Sequence, residues 1–365
     1  SPTLLQKILR EEWGFDGYVV SDCGAIDDIH RHHKLTSDAA ESAALAVKNG
    51  CDLNCGETYK ALKDALARGL ITEAEIDGAV TRVLLARFRL GLFDPPARVP
   101  FTRIPPTVNN CPAHQRLALQ MARESIVLLK NSKSLLPLKK NLKTIAVVGP
   151  NALSFDVLLS NYYGYNPNMV TPLEGILSKV SAGTQVQFNP LCPLSGIGKI
   201  YLKAIRWLTQ GADVIIACMG LSPRLEGEEG DAADSDAYGD RVHVGLPRIQ
   251  EEFIQALHAT GIPVVLVLTS GSPLAIPWAE EHISAIVYAW YPGQAGGTAI
   301  ADVLFGDYNP AGRLPVTFVK SVDELPPFNE YSMTNRTYRF YKGKPLYPFG
   351  FGLSYTRFEY RNLRL

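Results

Sequence analysis

The 365-residue sequence has no excess of charge of either sign. Lys and Arg together number 36, and Asp and Glu together also number 36, so the formal net charge is zero. The sequence also contains no long basic or acidic run. Binding to nucleic acid or to a membrane surface depends on clustered positive charge, so neither kind of partner is supported.

Long apolar runs are missing as well. No stretch approaches the roughly 18 apolar residues that a membrane span requires. The first residues, SPTLLQKILREEWG, lack the basic head and continuous apolar stretch of a signal peptide, and their Leu and Ile spacing predicts a helix instead. With 46% hydrophobic and 20% charged residues, the composition is typical of a globular protein, and the length favours two domains or slightly more.

Motifs for zinc and nucleotide sites are also lacking. Cys51 and Cys55 have C-x3-C spacing, but no second cysteine pair matches it, which disfavours a zinc site. The turns at 147–152 and 269–274 match neither the dinucleotide fingerprint nor a phosphate loop, which disfavours a nucleotide-using enzyme. We interpret the six cysteines mainly as buried free thiols, while one disulfide stays open as an alternative.

Two further groups of reactive side chains give little support to other chemistries. His30, His32 and His33 have a spacing that suits neither one face of a helix nor one face of a strand, so a metal site there is disfavoured. Ser270 does not lie within G-x-S-x-G, which argues against the nucleophile of an α/β-hydrolase.

The hydrophobic pattern predicts an α/β protein with two regions joined by a proline-rich linker. Residues 1–94 alternate helices with short strands, which is the pattern of βα units. The linker covers residues 95–112, and its prolines make it semi-rigid. The predicted elements of the first region are a helix at 2–12, a strand at 17–21, a helix at 37–48, a strand around residues 52–54 and two further helices.

The second region, residues 113–330, contains apolar runs rich in β-branched residues. Most are continuous rather than alternating, which is typical of strands buried on both faces. Predicted helices separate several of them, so we expect a six-stranded, mainly parallel sheet with helices on both faces. The predicted strands are 144–149, 184–188, 213–220, 263–271, 285–291 and 313–318, and the predicted helices include 113–130, 247–260 and 294–305.

Asp22 is the first candidate for catalysis. It directly follows the predicted strand 17–21, and catalytic groups in barrels and open sheets lie at the carboxyl ends of strands. The alternative is an Asp that caps the next helix, which is common in such loops.

A polar loop after the predicted strand 213–220 holds the second set of candidates. It contains Glu226, Glu228 and Glu229, followed by several aspartates, without the spacing of a calcium-binding EF-hand. Long polar loops after buried strands are often functional, and a solvated acidic loop is the alternative. A carboxylate from this loop, paired with Asp22, would fit retaining glycoside hydrolysis, in which the two carboxyl groups stand about 5–5.5 Å apart.

Long motifs spread over the chain resemble glycoside hydrolase family 3. They include GFDGYVVSDCGAI, NGCDLNCG, RVLLARFRLGLFD, IAVVGPNA, YPGQAGGTAIADVLFGDYNPAGRLPVTF and YPFGFGLSYTRFEY. The resemblance implies a (β/α)8 barrel, then a six-stranded α/β sandwich, then the start of a fibronectin-III-like domain. Residues 1–94 would be the C-terminal part of the barrel, residues 113–330 the sandwich, and residues 331–365 the connection to the third domain and its first strand.

The same resemblance assigns roles to the candidate carboxylates. It implies that Asp22, in the S-D motif, is the nucleophile. The family's acid/base is a Glu in a G-E-x-x-D-R or E-x-E-x-x-D-R motif. Here LEGEE precedes Asp240-Arg241 with an insertion between them, which gives Glu228 as the first choice and Glu226 as the second. This chemistry requires neither a metal nor an organic cofactor.

The resemblance also bears on the substrate. Cys23 stands where many glucosidases of the family carry Trp, and together with YYGYNPNMVTPLEGI this is similar to the xylosidase-like branch. We expect an exo-acting β-xylosidase or β-glucosidase that acts on small oligosaccharides or aryl β-glycosides. The sequon Asn335-Arg336-Thr337 and the family together indicate a secreted or periplasmic protein.

The family's first six barrel strands have no counterpart before Ser1. The family's sugar-binding Lys-His and Arg/Asp positions lie in those strands and are not assigned here. An open quarter of a barrel exposes strand edges and apolar faces, so we expect an N-terminally truncated chain that is inactive by itself. The competing interpretation is a non-catalytic carbohydrate-binding or scaffold protein, in which Asp22→Asn would leave sugar binding unchanged.

Overall fold

The chain divides into two units, Ser1–Val108 and Asn109–Leu365. The computed structural model describes residues 1–227, 232, 234–235, 240–357, 359 and 361–362. Within these residues, no helix combines the length and the apolar character that a membrane crossing needs.

The first unit is mainly helical. A π-type helix covers Pro2–Glu12, and the α-helices are α1 Ala25–Arg31, α2 Ala39–Lys48, α3 Leu62–Ala67 and α4 Glu73–Arg89. Short 3-10 turns cover Thr58–Ala61, Pro96–Arg98, Pro100–Arg103 and Pro106–Val108. The start of α4 follows from its sequence, because Thr72 and Glu75 form a reciprocal capping box that satisfies free backbone N–H groups.

The two strands predicted for the first unit are reduced to a single bridge. Val20 and Leu53 pair in parallel, and Ser21 N donates a hydrogen bond to Leu53 O at 2.9 Å. A strand needs a neighbour along its whole length to form a ladder, and the described residues of this unit provide one only at this position.

The second unit is built on a sheet. Its strands are β1 Val127–Asn131, β2 Thr144–Val148, β3 Gln185–Phe188, β4 Val214–Gly220, β5 Val264–Thr269 and β6 Ala285–Tyr288. Its helices are α5 Pro112–Ser125, α6 Asp156–Leu159, α7 Pro172–Lys179, α8 Leu202–Thr209, α9 Arg248–His258, α10 Pro277–His282, α11 Gly296–Leu304 and α12 Thr337–Phe340. Two 3-10 turns cover Ser132–Ser134 and Val322–Glu324.

The described strands form one six-stranded sheet in the order β1-β6-β5-β4-β2-β3. The pairs from β6 to β3 are parallel, and β1 lies antiparallel to β6 at one edge. In β4, Ile215 and Ala217 enter one core with α8 and α9, whereas Val214 and Ile216 enter a second core with α5, α7 and α11. The prediction of a six-stranded, mainly parallel sheet covered on both faces is confirmed.

The predicted helix 113–130 is wrong in its last turn. α5 ends at Ser125, and the next residues form β1, whose Val127 pairs with Tyr288 of β6. The run IVLL is apolar at every position, so its sequence does not show where helical periodicity ends and strand periodicity begins. The backbone pairing with β6 stabilises the strand conformation.

The predicted strand 313–318 is also wrong, because these residues do not join the described sheet. Phe318 forms only an isolated bridge with Tyr347. Pro315 has no backbone N–H to donate to a ladder, which explains why the apolar pattern of this segment does not yield a strand. β1 takes the sixth place in the sheet instead.

The aromatic segment near the end of the chain packs onto the second unit. Tyr347 and Phe351 contact the core that contains α8 and α9, and Tyr355 Oη donates to Val303 O in α11 at 2.7 Å. The predicted first strand of a further domain falls at residues 358–365, of which 358, 360 and 363–365 lie outside the described residues.

The close approach of the turn before α7 to α11 gives a stability prediction. We expect Gly297→Ala to lower the free energy of unfolding by about 2–3 kcal/mol, because a Cβ at Gly297 would lie 1.9 Å from the carbonyl oxygen of Thr171. Gly183→Ala is the matched control, since a Cβ there meets nothing within 4 Å. Urea unfolding measures both variants, and an unchanged midpoint for Gly297→Ala would contradict this packing.

Candidate active site

Asp22 lies at the end of the extended segment that contains Val20. Its side chain is exposed, and its Oδ1 accepts a hydrogen bond from Cys23 N at 2.8 Å. Helix α1 has Gly24 as its N-cap, with φ of 81° and no side-chain cap bond. Asp22 therefore does not cap this helix, which was the alternative role, and its carboxylate is open to a ligand.

The loop at Asp22 is held by the segment that follows Leu53. Ser21 Oγ accepts hydrogen bonds from Cys55 N at 3.0 Å and from Asn54 Nδ2 at 3.3 Å. Gly24 N donates to Cys55 O at 3.0 Å. These bonds fix the backbone on both sides of Asp22.

A disulfide also joins the two segments. Cys23 pairs with Cys55, at a sequence separation of 32, so the interpretation of the cysteines mainly as free thiols is wrong for this pair. The parallel bridge at Val20 and Leu53 brings the two cysteines together, which sequence spacing does not reveal. The free cysteines among the described residues are Cys51, Cys192 and Cys218, which are buried, and Cys111, which is partly exposed.

Removal of the disulfide should weaken the first unit. We expect the double variant Cys23→Ala/Cys55→Ala to lose about 3–4 kcal/mol of unfolding free energy, because a cross-link of this loop length restricts the unfolded chain. The free thiol variant Cys111→Ala serves as the control. Equal urea midpoints for the double variant and the control would show that the cross-link adds no stability.

Asp52 stabilises the same region as a buried charge. Its carboxylate is fully buried and forms ion pairs with Arg10 at 2.6 Å and with Arg82 at 2.7 Å. It also accepts a hydrogen bond from Val19 N at 2.8 Å. A buried carboxylate is costly unless it is paired in this way. Asp52 thus links the extended segment before Asp22 to two helices.

In the second unit, Glu226 lies where the carboxyl ends of β4, β5 and β6 share one edge of the sheet. Its Oε1 accepts hydrogen bonds from Gly271 N and Tyr291 Oη, and its Oε2 accepts from Ser272 Oγ. Ser270 Oγ lies 3.3 Å from Oε1. The Glu226 side chain is only 8% exposed.

Arg241 completes the surroundings of Glu226. Its Nη1 lies 3.8 Å from Glu226 Oε2 and donates to Ser272 Oγ at 2.6 Å, while its Nη2 donates to Gly245 O at 3.0 Å. Burial lowers the pKa of the Arg241 guanidinium, and the Glu226 carboxylate opposes that shift. The Arg241 guanidinium therefore places a positive charge close to the Glu226 carboxylate.

The donors around Glu226 are firmly protonated. The Gly271 N–H can only donate, and burial and then the Glu226 carboxylate both raise the pKa of the Tyr291 hydroxyl. A carboxylate whose oxygens accept from these groups is suited to hold a loop in place.

Glu228, the first choice for the acid/base, lies outside the described residues, as does Glu229. Glu226, Asp240, Arg241 and Tyr291 line a cleft of about 670 Å³.

The histidine cluster has local partners. His30 Nδ1 lies 3.1 Å from Ser42 Oγ, and His32 Nδ1 lies 2.7 Å from Asp28 Oδ1. Among the described residues, no group of three His, Cys, Asp or Glu side chains is arranged to hold a metal ion. His30 thus connects α1 to α2, and His32 contacts a residue of α1.

Sequence reasoning alone does not single out the partners of Glu226. A usable signal nevertheless exists, because Ser270, Ser272 and Tyr291 all lie at the carboxyl ends of predicted strands. In a parallel sheet these ends meet at one edge, where ligand sites form.

Two family models match the sequence. The model described as the glycosyl hydrolase family 3 N terminal domain matches residues 1–86. The model described as the glycosyl hydrolase family 3 C-terminal domain matches residues 126–355. The two matches fall in different units of the chain.

Named relatives and solved structures are similar to almost the whole chain. A xylan 1,4-beta-xylosidase of Xylanibacter ruminicola is 34% identical, covering 98% of this chain and 58% of the relative. A periplasmic beta-glucosidase of Salmonella typhimurium is 36% identical, with coverages of 99% and 51%. The structure of a GH3 exo-beta-xylosidase in complex with a xylobiose aziridine activity-based probe has a TM-score of 0.87 and 29% identity, with coverages of 98% and 46%.

The chain spans about half the length of the curated relatives it matches. Similarity extends through both units, and the C-terminal family model alone covers more than half of the sequence. This chain therefore belongs to glycosyl hydrolase family 3.

Proposed function

We propose that this chain supplies catalytic groups to a retaining, exo-acting β-glycosidase that releases terminal β-linked xylose or glucose. The observation that carries the proposal is the position of Asp22, exposed at the end of an extended segment with its backbone fixed on both sides. A nucleophile must reach a substrate atom while its own position stays constant. Asp22 meets both conditions.

The proposed reaction has two displacements. Asp22 attacks the anomeric carbon, and a covalent glycosyl ester forms as the glycosidic C–O bond breaks. Glu228 gives its proton to the departing oxygen and then takes a proton from the water that cleaves the ester. Two inversions at the anomeric carbon leave the product with the configuration of the substrate.

The assignment of Glu228 rather than Glu226 as acid/base rests on the surroundings of Glu226. The acid/base must exchange protons with the leaving group and with water, so at least one of its oxygens has to be free. Both oxygens of Glu226 accept hydrogen bonds from protein donors. Glu226 is therefore assigned as the anchor of the loop that presents Glu228.

Xylose is the preferred sugar in this proposal. Two of the similar proteins described above are named as xylosidases, and one is named as a glucosidase. Cys23, directly after Asp22, is part of the sequence resemblance to the xylosidase-like branch. A panel of p-nitrophenyl β-xyloside, β-glucoside and α-arabinofuranoside tests the choice: the highest kcat/KM should be on the xyloside, and a preference for the glucoside would select the alternative.

The first unit is proposed to act within a closed barrel that has more strands than this unit holds. Its extended segments pair only at Val20 and Leu53 within the described structure. Several large apolar side chains are exposed, including Trp13 at 74% and Phe88 at 61%. Such faces are normally covered by neighbouring barrel elements. We use the term complete enzyme for a protein in which these residues form part of a closed barrel. Activity is expected in the complete enzyme and not in this chain by itself.

The compartment is proposed to be the periplasm or the exterior of the cell. The Cys23–Cys55 disulfide persists in oxidising compartments, and one similar protein is named as periplasmic. Alkylation of the protein in whole cells followed by mass spectrometry tests this: Cys23 and Cys55 should remain unlabelled unless a reductant is added first.

The second candidate function is non-catalytic carbohydrate binding on the same fold. It differs from the first candidate in one measurable respect. The protein would bind sugar without hydrolysing it, and Asp22→Asn would leave that binding unchanged. Detection of sugar release by the complete enzyme, lost on this substitution, would exclude it.

A further inference from the structure

A groove lies beside β3, at the opposite edge of the sheet from β1. It has a volume of about 570 Å³ and is formed by β3 and α8. None of the residues that line it in the described structure carries a charge. They are Gln185, Gln187, Phe188, Asn189, Trp207, Leu208 and Gln210.

The polar side of the groove follows from strand alternation. Val186 and Phe188 pack against the core that contains α7 and α11. Successive side chains of a strand point to opposite faces, so Gln185 and Gln187 face α8, where apolar residues would normally complete the core. The side-chain oxygen of Gln187 is buried and has no hydrogen-bond partner among the described residues. An acceptor of this kind is available to a donor from water or from a ligand.

The apolar side of the groove is a tryptophan. Helix α8 buries Ile205 and Leu208 but presents Trp207 to solvent with 76% of its area exposed. Trp207 also borders a second groove of about 520 Å³, lined by Arg206, Gln210 and Thr260 among others. The ring therefore stands between two adjoining depressions, which suits a ligand with several repeating units.

We propose that Trp207 and the surrounding amides form a second, non-catalytic binding site for a neutral oligosaccharide. A pyranose ring has an apolar C–H face that can stack on an indole, and hydroxyl groups that both donate to and accept from Gln and Asn amides. The first groove has no charge to balance a phosphate or an acidic peptide. The site lies entirely on the second unit and uses neither Asp22 nor the loop of Glu228.

Isothermal titration of this chain with xylohexaose, and separately with cellohexaose, tests the proposal. The Asp22→Asn background removes any hydrolysis during the titration. We expect binding of at least one of the two sugars, and Trp207→Ala should weaken it about tenfold or more. Trp13→Ala is the matched control, since Trp13 is 74% exposed and lies in the other unit.

Gln187→Leu adds a second readout, because it removes the amide while it preserves the bulk of the side chain. It should also weaken binding, and circular dichroism should show all variants folded. The proposal is overturned if neither sugar binds at about 10 mM, or if Trp207→Ala binds as tightly as Trp13→Ala. Protection of β3 backbone amides by a peptide, without dependence on Trp207, would instead identify the groove as a strand-addition site. Failure of this binding leaves the proposed hydrolase function untouched.

Discussion

Replacement of Asp22 by Asn should lower kcat for β-glycoside hydrolysis in the complete enzyme by at least about a thousandfold. The amide preserves size and its acceptor oxygen, so the bond from Cys23 N can remain. What is lost is the negative charge that, in the proposed mechanism, attacks the anomeric carbon. Steady-state kinetics with p-nitrophenyl β-xyloside measures the effect.

Asp16→Asn is the matched control for this experiment. Asp16 lies in the same unit, is exposed and forms an ion pair with Arg89 at 3.2 Å, so it experiences a comparable loss of charge without a proposed catalytic role. Surface ion pairs contribute little, so its kcat should stay near that of the unmodified enzyme. Comparable activity in Asp22→Asn and Asp16→Asn would refute the nucleophile assignment.

Chemical rescue gives a second test of Asp22. In Asp22→Ala, added azide can occupy the space of the carboxylate and attack the anomeric carbon once. A single displacement inverts that carbon, so the product should be an α-glycosyl azide. A β-glycosyl azide from this variant would place the nucleophile elsewhere.

Glu228→Gln should slow substrates with poor leaving groups by about a hundredfold to ten-thousandfold, and should largely spare the first step with dinitrophenyl β-xyloside. A good leaving group needs no proton from the enzyme. The second step should be slow for every substrate, because no base activates water. Azide, which needs no base, should restore turnover and give the β-glycosyl azide.

Glu226→Gln should behave differently, although the two residues are only two positions apart. In the unmodified protein, Ser272 Oγ and Arg241 face a carboxylate oxygen of Glu226. In the variant, an N–H₂ group can face these donors instead. The loop loses its anchor, so activity should fall by a similar factor for good and poor leaving groups, and azide should not restore it. If Glu226→Gln is the variant rescued by azide and Glu228→Gln is not, the two assignments must be exchanged.

Local sequence patterns predicted much of the fold and singled out Asp22 as a candidate. Continuous apolar runs located β2, β4, β5 and β6 within a few residues, because strands buried on both faces have no polar positions. Asp22 became a candidate because it directly follows the predicted strand 17–21. The strand conformation of the IVLL run before residue 130 was not predictable, since a uniformly apolar segment fits a helix and a strand equally well.

The sequence by itself determined most of the helical and extended segments, and it placed acidic residues after predicted strands, since these properties depend mainly on neighbours along the chain. The tertiary structure alone decided that Cys23 pairs with Cys55, that Asp52 receives two arginines, and that Glu226 is held by donors 44 to 65 positions away. Each of these depends on which strands lie side by side. Strand pairing is a competition among distant segments for backbone hydrogen bonds and burial, and residue spacing does not record its outcome.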